Sequence, residues 1–109
     1  MSQQTMNRWE SLRTEETRLV EKVLRARFPQ TDAYRYNSAS IRVRIIDPRF
    51  EGLAHEERDA MVEPILDQLP ESTQADIINL LTLAPSEMKD SSRKALSNVE
   101  FEDPSPSAL

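Results

Sequence analysis

SIRVRII, residues 40–46, decides the fold: Ile41, Val43 and Ile45 alternate with Arg42 and Arg44. A period of two marks a strand with one buried face, here the aliphatic one, and predicts the arginines on the other. Just upstream, residues 33–36 form a second strand-like run, with only Asn37, Ser38 and Ala39 between. The two runs predict a hairpin. Downstream the strand ends at Asp47 and Pro48, and the stretch from Arg49 to Leu53 holds the only glycine of the chain. A left-handed backbone is therefore expected at Gly52.

Outward from the hairpin the period changes to that of helices. In residues 14–28 the apolar positions Leu19, Val20, Val23, Leu24 and Phe28 fall on one stripe, Thr14 suits an N-cap and Pro29 stops the element. Acid comes early (Glu15, Glu16) and base late (Arg25, Arg27), as the helix dipole prefers. A second helix is expected over residues 55–69, its stripe formed by Met61, Val62, Ile65, Leu66 and Leu69. Pro64 predicts a kink near Ala60 or a break. Residues 71–74 read as a linker and the apolar run 77–83 as a third strand. Ser86 is placed to cap a short helix over residues 87–96. The expected order is helix, strand, strand, helix, strand, helix: an α+β fold, αββαβ(α), with helices on one face of a three-stranded sheet and the other face open to solvent. Residues 1–13 are expected to be a flexible or helical extension, 14–97 the domain, and 98–109 a disordered tail with nothing to bury.

Composition removes whole classes of chemistry. The 109 residues include no Cys, one His and one Gly, so disulfides, zinc-thiolate sites, thiol nucleophiles and glycine-rich phosphate loops are excluded for this chain alone. No metal site and no cofactor is expected. No apolar run approaches a membrane span and the first residues lack a secretory h-region, which predicts a soluble cytoplasmic protein. The net charge of −5 hides a gradient: residues 1–58 carry 11 basic and 9 acidic side chains, residues 59–109 carry 3 and 10. Any anion-seeking surface is expected in the first half. Adjacent acidic pairs such as Glu56 and Glu57 face different ways on a helix, and no serine has a base beside it, so no enzyme is expected.

Ile45-Ile-Asp-Pro-Arg-Phe-Glu-Gly-Leu53, then Arg58 and Met61-Val62, with the run Ala75 to Glu87 later, resembles the BolA family in its strand, its D-x-F-x-G-like turn, its R-H-R helix and its last strand. The resemblance spans roughly residues 19–88. It implies a small protein related to the class II KH fold that works without being an enzyme. Members pair with monothiol glutaredoxins around a shared two-iron two-sulfur cluster, and some regulate transcription. Here Asp76 stands where the family's last strand carries its iron-binding His, and Asp59 where its helix carries the second His. A carboxylate suits cluster iron poorly, so the expectation is an adaptor without the family's iron-sulfur ligands.

Two sets of candidate residues follow. A protein partner, with a monothiol glutaredoxin as the family's example, would dock on Arg49, Phe50, Gly52, Arg58 and Asp76. The alternative is a KH-like nucleic-acid surface of Arg35, Arg42, Arg44 and Arg58, with Arg35, Arg42 and Arg44 lining the open sheet face near Tyr34 and Tyr36. Parity sets Tyr34 and Tyr36 opposite to Arg35. His55, at the start of the second helix, reads as an ordinary surface imidazole. The chain is expected to be a monomer or weak dimer.

Overall fold

A computed structural model describes residues 8–89 and 93–107. Seven main elements follow one another: α1 (Glu15–Arg25), β1 (Thr31–Asn37), β2 (Ser40–Ile46), α2 (His55–Leu66), α3 (Glu71–Asp76), β3 (Ile77–Leu83) and α4 (Arg93–Glu102). The fold is α+β with one three-stranded mixed sheet. Its order is β1-β2-β3, with β1 antiparallel and β3 parallel to β2. Thr14 caps α1 as its sequence suggests, accepting from the Thr17 amide while the Thr17 hydroxyl accepts from the Thr14 amide. Gly52 has φ +74°, the left-handed region that Gly enters without steric cost.

The alternation in β2 holds. Ile41, Val43 and Ile45 are fully buried, with Ala33, against Val20 and Leu24 of α1 and Val62 and Ile65 of α2. Phe28 and Phe50 stack at 5.6 Å at the end of this core. Three local expectations are corrected. The 71–74 linker is the start of α3, which leads directly into β3. Pro64 neither breaks α2 nor starts a new turn; it lies in the last turn, where the helix has only two residues left to run. The short helix placed at 87–96 is a 3-10 turn, Pro85–Met88, with Glu87 bonding back to the Ala84 amide; α4 begins at Arg93.

The larger correction concerns the second sheet face, which is not open. Phe101 of α4 is 2% exposed and sits against Tyr34 of β1, with ring centroids 4.8 Å apart, and against Trp9 at 5.5 Å. Trp9 belongs to a 3-10 turn, Arg8–Leu12, from the segment expected to be an extension. The Tyr34 hydroxyl donates to the Phe101 carbonyl at 2.9 Å. Residues 98–102, assigned to a disordered tail, are thus the end of a packed helix, and 103–107 continue along β1. There the Tyr36 hydroxyl donates to the Pro106 carbonyl, and the Asn37 amide to the Ser107 hydroxyl. Large aromatic surfaces on Tyr34 and Trp9 drive this closure, because an uncovered sheet face would leave them in water. Residues 1–7 of the expected extension lie outside the described residues.

Candidate functional site

The residues singled out in the sequence do not converge on one accessible surface. Arg58, named for both docking and nucleic-acid binding, is 2% exposed. Its Nη1 and Nη2 donate to Oε1 and Oε2 of Glu87 at 2.8 and 2.9 Å, its Nε to the Leu53 carbonyl and its Nη1 also to the Thr82 carbonyl. This is a buried bidentate pair that ties α2 to β3 and to the 3-10 turn after it. The guanidinium, with help from Lys94 and the Ala84 amide, holds the Glu87 carboxyl down at about 2. Phe50 is fully buried and offers a partner nothing. Arg49 is partly exposed but engaged: it bonds Asp47 and the Arg27 carbonyl and lies over the Phe28 ring at 4.6 Å. It holds the Asp47 carboxyl below its ordinary value. Of the turn from Arg49 to Leu53, Arg49, Glu51 and Gly52 are exposed, but Arg49 is engaged as above and Glu51 accepts from the Ser86 hydroxyl.

The nucleic-acid set separates as well. Arg35 lies on the α1 face and not with the other two; it bonds both Glu16 oxygens at 3.0 Å and Asp76 at 2.7 Å. Asp76 therefore completes an ion pair between α3 and β1. Arg42 and Arg44 share the opposite face, as β2 parity requires, but α4 covers them. Arg44 is 5% exposed, bonded to Asp32, Asn98 and Glu102 at 2.7–2.8 Å and set over the Phe101 ring at 4.7 Å. Arg42 bonds Glu100 at 3.0 Å and the Tyr34 hydroxyl at 3.2 Å, with its guanidinium 3.7 Å over the Tyr36 ring. All four arginines face carboxylates of the same chain, so the expected solvated basic face does not exist. His55 is exposed, with its Nε2 3.2 Å from Oδ2 of Asp59 one turn on. Among the described residues no three His, Asp or Glu side chains gather where they could hold a metal ion.

What remains open is the outer edge of β3. Among the described residues no strand pairs there. The Leu83 carbonyl accepts from the Asp47 amide on the β2 side, so strand alternation turns the backbone groups of Leu80 and Thr82 outward. Arg58 already satisfies the Thr82 carbonyl, which leaves the stretch from Ile77 to Leu81 available. Ile78 falls at an irregularity in the β2–β3 register, where Ile41 and Arg42 face Ile77 and Asn79, and is 70% exposed. Beside the edge, a groove of about 330 Å³ runs between β3 and α4, lined by Arg42, Asn79, Leu81, Leu96, Glu100 and Phe101. Leu96 and Val99, three residues apart on α4, are 64% and 59% exposed. Edge strands are normally blunted by charge or proline, yet residues 77–83, IINLLTL, contain neither.

The sequence signals the last strand as part of a docking surface, but not the groove, because α4 was not expected over residues 97–101. Of the groove's lining, only the apolar residues Leu96 and Phe101 stand out in the sequence of α4, and they form no continuous stripe that would mark it. No helix among the described residues is long and apolar enough to cross a membrane. No family model, no curated protein and no solved structure matches this chain, so its relationships rest on its own fold and surface.

Proposed function

We propose that this chain is a non-enzymatic binding module that docks a protein partner along the outer edge of β3 and the groove beside α4. The observation that carries this reading is the uncharged, unblunted edge with Ile78 exposed on it and Leu96 exposed in the groove beside it. An extended segment added to such an edge gains backbone hydrogen bonds, and a groove beside it supplies specificity. The resemblance to the BolA family agrees with an adaptor role. It does not choose the partner, and a glutaredoxin is one candidate among protein partners. The commitment of Arg35, Arg42, Arg44 and Arg58 to internal carboxylates argues for a protein over a nucleic acid, since phosphate binding needs cations free to be neutralised by it.

Affinity capture from a lysate of the source organism tests this with two baits, the wild-type chain and Ile78→Lys. Ile78 is exposed, so the variant folds. A partner retained by the first and lost by the second is expected; equal capture by both baits rejects the edge as the docking site.

A further inference from the structure

The β3 edge has a second cleft on the other side of the sheet, and the two together describe what kind of segment fits. Ile77 faces the α1–α2 side, packed against the main core, whereas Asn79 and Leu81 line the groove on the α4 side. The register irregularity at Ile78 produces this switch of face within three residues. On the α1–α2 side Ile77 forms a cleft of about 220 Å³ with Glu63, Leu66, Asp67 and Gln74. Helix α2 runs antiparallel to β3: Arg58, near its start, reaches Thr82, and Leu66, at its end, meets the cleft at Ile77. The side chains of Glu63 and Asp67 make no ion pair among the described residues, unlike every carboxylate that meets the sheet arginines. One cleft is therefore aliphatic at its base and carries two free negative charges. The other is lined by Leu81, Leu96 and Phe101, with its one cation, Arg42, already neutralised by Glu100.

A strand laid on the stretch Ile77–Leu81 delivers alternate side chains to the two sides of the sheet. We propose, resting on the docking reading above, that the partner contributes an extended segment in which apolar side chains alternate with Lys or Arg. An apolar side chain enters the α4 groove. A basic one, one or three positions away, lays its methylene stem on Leu66 and Ile77 and its charge against Glu63 and Asp67. Charge complementarity argues against this edge pairing with β3 of a second copy, because IINLLTL brings no cation to the acidic cleft.

The probes are three synthetic seven-residue peptides alternating Val with Lys, Gln or Glu, titrated against the full chain by fluorescence anisotropy. The Lys peptide is expected to bind about 3- to 10-fold more tightly than the Gln peptide, the size of two partly exposed charge pairs, and the Glu peptide weakest. In Glu63→Gln/Asp67→Asn, two exposed or half-exposed positions, the Lys and Gln peptides become equal while Gln-peptide affinity is unchanged. Ile78→Lys weakens all three. Equal binding of the three peptides to the wild type overturns the basic segment and leaves edge docking intact. If none binds while a lysate partner is still lost on Ile78→Lys, the alternating pattern falls and the docking reading stands. If neither occurs, both fall. Concentration-dependent dimerisation abolished by Ile78→Lys overturns the assignment of the edge to a different chain.

Discussion

Arg58 shows how far a residue's role depends on partners distant in sequence. Between Glu56, Glu57 and Asp59 it looks like one more charge on a solvated helix, and its resemblance to a family motif favoured a docking role. Glu87, 29 positions later, and the Thr82 carbonyl take it out of solvent. Nothing local signals that burial. Arg58→Ala leaves Glu87 without its main partner and two carbonyls without a donor, and is expected to cost about 3–5 kcal/mol, read by urea denaturation. The same pair makes stability depend on pH. The Glu87 carboxyl is held at about 2 in the folded chain against an ordinary 4.5. Its contribution is therefore complete above pH 4.5 and disappears as pH falls from there toward 2. Denaturant midpoints measured from pH 7 to pH 2 should fall across that window, and Glu87→Gln should start lower and fall less steeply. Midpoints that fall equally in both proteins would assign the acid sensitivity to other carboxylates.

The elements were legible where hydrophobic periodicity was strong and local. In β2 the aliphatic residues face α1 and α2 as the period of two requires. Val43→Asp, which buries a carboxylate without a partner, is expected to cost on the order of 3 kcal/mol or more. A tolerated Val43→Asp would place the register one residue off. Helix α4 was illegible for a physical reason. It buries Phe101 and Asn98, leaves Leu96 and Val99 outside, and finds its partner Trp9 some ninety residues upstream, so no stripe marks it. The arginines beneath it carry no local sign of that cover for the same reason, and Arg44→Glu, set among Asp32 and Glu102, is expected to destabilise the fold strongly. Truncation after Ser97 removes Phe101 and uncovers Tyr34. Loss of a buried Phe costs about 3–5 kcal/mol, and the melting temperature should fall by at least about 10 °C. A shift of only a few degrees would mean that α4 contributes little to closing the sheet.

Across the whole molecule, the charge gradient between the two halves resolves into internal complementarity. Arg35 meets Asp76, Arg42 meets Glu100, Arg44 meets Glu102 and Arg58 meets Glu87: in each pair the base comes from the first half and the acid from the second. The sequence showed the imbalance; only the topology shows that the chain largely consumes it, leaving acids such as Glu63 and Asp67 for the surface. With both sheet faces covered, the β3 edge combines, among the described residues, a strand side that no other strand pairs with and the exposed Ile78. The Leu80 amide reports on it most directly, because it points outward in the free protein and would pair with the first strand to dock. Hydrogen exchange at this amide, followed by NMR with and without the Val/Lys peptide, should be fast in the free chain and slowed at least tenfold in the complex. An amide already protected in the free chain, or one whose exchange is unchanged by a bound peptide, would contradict docking at this edge.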